Sequence, residues 1–178
     1  MKRVLVIIAH EGFQDSEYLA VQDVMKKHNY KIDTASTQLS FATGMSGTKV
    51  KPDIDLEEAM LNLHNYSAII LIGGKGAKVY FKNELCLEII KDANNSNKVI
   101  AAICTAPVIL ANAGVLDGVK ATVYSNMLNN SYVDIIKVKG ARYVSQNVVV
   151  DRNIVTASGP NTAKKFAELI IATVEKKV

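Results

Sequence analysis

Cysteine, aromatic residues and long apolar runs are all scarce in this chain, and each shortage removes a class of function. Its 178 residues include two cysteines, Cys86 and Cys104. Two cannot build a disulfide framework, and their spacing fits no zinc-binding pattern, so no metal site is expected. No stretch approaches the ~18 consecutive apolar residues that a membrane-spanning helix needs. Aromatics make up 6% of the chain, and the formal charge of +4 comes from lysines scattered among acidic residues. A nucleic-acid surface needs its cations clustered on one face, so neither nucleic acid nor membrane is an expected partner. No repeat, low-complexity tract or linker interrupts the sequence. The length suits one domain over residues 1–178, enough to bury roughly two-thirds of the unfolded surface.

What is present is ordinary globular material, with 49% apolar and 21% charged residues. The opening run Met1 to Ala9 is too short for a secretory signal, and His10 and Glu11 stand where a small-residue cleavage site would lie. It reads as a buried first strand. The expected compartment is therefore the reducing cytoplasm, where a free thiol survives.

Short continuous apolar runs alternate with helical patterns, as expected of parallel strands covered by helices on both faces. Arg3–Ala9, Tyr30–Ala35, Ala68–Ile72, Val99–Ile103 and Lys120–Tyr124 read as strands. Helices are expected over Ser16–His28, with Leu19, Val21, Val24 and Met25 roughly on one side, and over Asn83–Ala93 and Pro107–Ala113. Phe41–Pro52 reads as a loop or small hairpin. Arg142–Ser145, Asn147–Val150 and Asn153–Thr156 read as short edge strands, the last two joined by a hairpin turn at Asp151-Arg152-Asn153. Gly159-Pro160 opens the closing helix. The pattern implies an α/β fold of three layers, doubly wound around a mainly parallel, flavodoxin-like sheet. In such folds ligands bind beyond the carboxyl ends of the strands. That rule singles out His10–Glu17, Gly73–Lys78 and Cys104–Pro107.

In Ala101-Ala102-Ile103-Cys104-Thr105-Ala106-Pro107 a strand runs into a helix with almost no loop, and the cysteine occupies the turn. The arrangement is comparable to the G-x-S-x-G elbow of hydrolases. Partial positive charge and free N–H groups at the helix start should hold the Cys104 thiol below its ordinary pKa. An inert cysteine packed as a small hydrophobe is equally compatible with the spacing. Cys86 fits a helix core. Glu17 fits a dipole partner in a helix first turn, or a carboxyl group that shares a proton with the thiol. Gly73-Gly74-Lys75-Gly76-Ala77-Lys78 lacks both nucleotide-binding spacings. It can instead offer bare N–H donors, as an oxyanion hole does. Of the histidines, His28 and His64 read as surface groups, and His10 lies near the presumed site.

These residues together resemble the DJ-1/PfpI (ThiJ/PfpI) superfamily, which has a class I glutamine amidotransferase-like fold. The resemblance covers nearly the whole chain. It is carried by the acidic segment ending in Glu17, the Gly73-Gly74 turn, the elbow with Pro107, and Ser158-Gly159-Pro160-Asn161-Thr162 before the last helix. It implies that Cys104 is the reactive thiol, that Glu17 hydrogen-bonds its sulfur, and that the N–H groups of Gly74 and Thr105 form the oxyanion pocket. It also implies a homodimer, with the first helix and strand region at the interface.

The departures are informative. Thr105 stands where the protease-like branch has histidine, and Lys78 where that branch has glutamate, so its Cys-His-Glu triad is missing. Tyr124 replaces the histidine common in the glyoxalase and deglycase branch. Gln14 occupies a position where relatives often have glutamate. Tyr124 and His10, in that order, are the candidates to replace the missing histidine. The resemblance implies a cofactor-free attack by Cys104 on a small reactive carbonyl, glyoxalase III-like or deglycase-like, with Glu17 moving the proton. The alternative is a thiol redox sensor or stress-protective protein whose partner is an oxidant. A PfpI-type protease or amidase is the lesser alternative.

Overall fold

The computed structural model describes residues 1–128 and 130–177. In chain order the strands and helices are β1 (Arg3–Ile7), β2 (Glu11–Phe13), α1 (Asp15–Lys27), β3 (Lys31–Ser36), β4 (Ala42–Gly44), β5 (Lys49–Val50), β6 (Ile54–Asp55) and α2 (Leu56–Leu61). Then come β7 (Ala68–Leu71), α3 (Glu84–Asn95), β8 (Val99–Ile103), α4 (Pro107–Asn112), β9 (Lys120–Ala121) and α5 (Ser131–Val138). The last elements are β10 (Arg142–Tyr143), β11 (Val148–Asp151), β12 (Ile154–Ala157) and α6 (Ala163–Glu175).

Seven strands form the main sheet in the order β11-β12-β8-β7-β1-β3-β6. Every neighbouring pair is parallel except β11 with β12. Helices α1 and α6 pack together on one face; α2, α3 and α4 form a row on the other, with α5 against α4. Both faces are thus covered, which is why β1, β7 and β8 are continuously apolar rather than alternating. The fold is the expected α/β architecture with a mainly parallel sheet.

Local sequence explains the helix boundaries. Helix α1 has Asp15 and Glu17 in its first turn and Lys26 and Lys27 in its last, the arrangement its dipole favours. It buries Tyr18, Val21, Val24 and Met25, but Leu19 points outward and is 49% exposed. The Asn83 side chain accepts a bond from the Cys86 N–H at 2.8 Å and caps α3.

Two expectations change. Only Lys120 and Ala121 of the anticipated fifth strand are in a ladder, paired with β10 outside the main sheet. The chain then turns so that the Tyr124 N–H donates to the Cys104 carbonyl at 2.8 Å. Strand β12 is interior rather than an edge, because its apolar side chains fill the space between β8 and β11. The 41–52 stretch forms the β4–β5 hairpin, and β4 also pairs with β2.

Strand order reverses around β1, with β3 on one side and β7 then β8 on the other. Such a switch point leaves a crevice beyond the strand ends. The loop after β1, the Gly73-Gly74 turn after β7 and Cys104 after β8 all lie at this edge of the sheet.

Candidate active site

Cys104 has a φ of +62°, in a region that residues with a Cβ seldom occupy. Its N–H donates to the Ala157 carbonyl at 2.9 Å, and its own carbonyl accepts from Tyr124. The strained residue is therefore held from both sides, by β12 and by the chain leaving β9. Such strain persists only where the surroundings over-determine it. The thiol is 7% exposed.

Glu17 is fully buried and reaches the same turn from α1. Its Oε2 accepts the Gly73 N–H at 2.9 Å. Among the described residues Oε1 has no partner at full hydrogen-bond geometry, and the carboxyl group interacts with the Cys104 thiol. Gly73 lies between the two. A Cβ there would stand 2.5 Å from Cys104 Cβ and 3.0 Å from Glu17 Oε2. Gly74 has a φ of +108°, and a Cβ on it would meet the Gly12 carbonyl oxygen at 2.5 Å. The Gly-Gly pair is thus required by close approach at the first position and by backbone conformation at the second.

Burial raises Glu17 to about 7, against a pull downward from the Gly73 N–H and the Cys104 thiol. Burial and the neighbouring Glu17 charge push Cys104 up to about 12, against the N–H groups of Gly74 and Thr105. This corrects the expectation of a thiol below its ordinary value. Helix α4 begins only at Pro107 and is six residues long, so its dipole is outweighed by desolvation and a buried carboxylate. The pair titrates as a unit. It releases one proton near neutrality and holds the second into the alkaline range. In the singly protonated pair, moving that proton from sulfur to carboxylate yields a thiolate facing the Gly74 and Thr105 N–H groups.

The other predicted residues separate. Thr105 contributes more than its N–H, since its hydroxyl donates to the Gly74 carbonyl at 3.1 Å and ties the two donor loops together. Tyr124 touches the elbow through its backbone, while its hydroxyl accepts from Asn126 Nδ2 at 3.1 Å. The polar contacts of the His10 ring go elsewhere. Nε2 is 3.3 Å from Ser40 Oγ and 4.0 Å from Glu11 Oε1, and Nδ1 is buried without a partner among the described residues. Lys78 is exposed. Cys86 is fully buried in α3, where desolvation raises its thiol to about 12.

Sequence reading passed over Asp15. This buried carboxylate accepts the Ser46 and Thr48 N–H groups, both at 2.8 Å. Burial pushes it up, but the bonds from Thr48 and Ser46 hold it below its ordinary value. The hairpin so anchored brings Met45 Sδ to the Lys75 N–H at 3.5 Å. A buried acid at a helix start, bonded to N–H groups 31 and 33 residues away, leaves no local signal. Among the described residues no three His, Cys, Asp or Glu side chains converge as a metal-binding group, and no helix is long and apolar enough to cross a membrane.

A mainly parallel α/β sheet with a strained cysteine at a strand-to-helix elbow, beside a buried glutamate, defines the class of protein. The sequence model of the DJ-1/PfpI family matches residues 2–173, and the chain belongs to that family. It is 37% identical to an uncharacterised protein of Methanocaldococcus jannaschii over 98% of this chain and 83% of that one. It is 32% identical to the deglycase PfpI of Pyrococcus furiosus, over 89% of this chain and 90% of the other. The crystal structure of a ThiJ/PfpI domain protein from Brachyspira murdochii superposes with a TM-score of 0.91 at 26% identity, covering 98% and 96% of the two chains.

Proposed function

We propose that this protein converts small reactive carbonyl compounds such as methylglyoxal through the Cys104 thiolate, with Glu17 as its proton partner and no cofactor. The observation that carries the reading is the shared site itself, a buried carboxyl raised to about 7 beside a thiol facing two N–H donors. The proton first passes from sulfur to Glu17. The thiolate sulfur then bonds to the aldehyde carbon, the carbonyl electron pair moves to oxygen, and Glu17 returns its proton to give a hemithioacetal. The Gly74 and Thr105 N–H groups stabilise the charge on oxygen as it forms. Glu17 next removes the C1 proton and delivers it to C2, while the hydroxyl proton passes from the C1 oxygen to the C2 oxygen, which leaves a lactoyl thioester. Water cleaves that ester, so methylglyoxal plus water becomes lactate and the thiol is restored.

A buried thiol with 7% exposure favours a small electrophile over a polypeptide. The name deglycase carried by the Pyrococcus furiosus relative supports carbonyl chemistry. Thr105 and Lys78 leave no histidine or carboxylate at the positions of the protease triad. Methylglyoxal turnover that disappears in the Cys104→Ser protein tests the reading, and no turnover by the wild type refutes it.

The same pair supports a second reading. A protonated Glu17 beside Cys104 can donate to a sulfinate, so oxidation by peroxide would be trapped at that stage. Intact mass would then rise by two oxygens at Cys104 under mild peroxide; further oxidation at an equal rate, or none, counts against a sensor.

We further propose a homodimer that works in the cytoplasm, where Cys104 stays reduced. The supporting feature is a groove of about 480 Å³ lined by Tyr18, Leu19, Gln22 and Lys26 of α1 and by β3 and β5. Leu19→Glu should convert the dimer to a monomer in light scattering; a wild-type monomer would refute the assembly.

A further inference from the structure

Beside the elbow lies a second, smaller pocket of about 220 Å³. Its polar lining includes Thr122, Ser125, Ser145, Gln146, Asn147 and Ser158, all hydroxyl or carboxamide side chains. Among the described residues no carboxylate, ammonium, guanidinium or imidazole lines it. Tyr143 forms another wall, with Lys137 Nζ 5.5 Å over its ring. Among the described residues, the side chains of Ser125, Ser145, Gln146, Asn147 and Ser158 make no hydrogen bond to the rest of the chain. Their donors and acceptors remain available to a ligand.

The pocket is joined to the nucleophile by backbone. Cys104 donates its N–H to Ala157, the residue before Ser158, and accepts from Tyr124, the residue before Ser125. Successive Cα atoms are about 3.8 Å apart, so two of its walls begin one residue from groups bonded to the elbow. The fixed part of the lining is firm, because Thr122 is buried and its N–H donates to Thr156 Oγ1 at 2.9 Å. The Ser158 N–H donates to the Asn147 carbonyl at 2.9 Å and closes the rim.

We infer that this pocket is a subsite for an uncharged, polyhydroxylated group, the tail of a sugar-derived α-oxoaldehyde whose aldehyde carbon meets Cys104. Rows of neutral donors and acceptors replace the water of hydroxyl groups without the desolvation cost of an ion. A phosphate would find no cation among the described lining residues, and an alkyl chain would leave the amides and hydroxyls unpaired. The inference rests on the carbonyl reading of Cys104.

The test compares methylglyoxal, which has no hydroxyl, with 3-deoxyglucosone, which carries three on its tail. The double variant Asn147→Ala with Ser158→Ala keeps the backbone bond between the two residues. Its kcat/KM should fall about tenfold for 3-deoxyglucosone, a few-fold for each lost neutral bond, and stay unchanged for methylglyoxal. An equal fall for both substrates, or none for either, overturns the subsite. Titration of the Cys104→Ser protein with erythritol, followed by the amide resonances of Ser125 and Ser158, needs no turnover. Saturable shifts that the double variant loses uphold the pocket; shifts that are absent or linear overturn it. Wild type that leaves methylglyoxal intact overturns the carbonyl reading instead, and the titration still decides the pocket.

Discussion

Replacing Glu17 by glutamine should make the protein more stable in mild alkali while disabling its site. The carboxyl group is fully buried, and burial moves it from 4.5 in the unfolded chain to about 7 in the fold. Between those values the native state holds a proton that the unfolded chain has released, so stability falls as pH rises. The favourable contribution is complete below 4.5 and is lost as pH climbs through about 7. At 1.36 kcal/mol per pH unit, that interval corresponds to about 3 kcal/mol. Glutamine keeps the oxygen that accepts the Gly73 N–H and cannot ionise. Urea unfolding at pH 5 and at pH 8 should therefore show wild type losing about 2.5 kcal/mol more than Glu17→Gln, since part of the interval lies outside that window. Asp15 has the opposite sign, with its stability lost only as pH falls through its lowered value, outside this window. Parallel pH profiles for the two proteins would refute the buried, raised carboxyl.

Two further outcomes bear on the same turn. Iodoacetamide should modify Cys104 and spare the wholly buried Cys86 in the native protein, as read by peptide mass; equal labelling would mean that the elbow offers no privileged access. Thr105→Val removes the hydroxyl that holds the Gly74 carbonyl and should slow Cys104 alkylation several-fold through misaligned N–H donors, with Thr105→Ser restoring the rate. An unchanged rate in the valine protein would show that the donors need no such tie.

Much of this was legible in the sequence because β1, β7 and β8 are continuous apolar runs, and α1 and α3 carry helical periodicity. The 54–61 stretch and α5 escaped notice because their elements are short, and Asp55 supplies the cap of α2 by accepting the Glu58 N–H at 2.8 Å. The position of β12 depends on long-range pairing with β8, which local patterning does not encode. At the site, the elbow and the acidic residue upstream were readable one at a time. That Glu17 and Cys104 meet across Gly73 depends on residues 56 and more positions apart. The direction of the thiol shift is hidden for the same reason: the helix end is visible in sequence, whereas the desolvation and the facing carboxylate exist only in the fold.

One thiol and one carboxyl, sharing a proton, carry the proposed chemistry. Methylglyoxal consumption and lactate formation by wild type, Cys104→Ser and Glu17→Gln test it most directly. Turnover is expected from wild type, none above background from Cys104→Ser, and a fall of about 100-fold or more for Glu17→Gln, the scale of a lost general acid–base. Full turnover by either variant would contradict it.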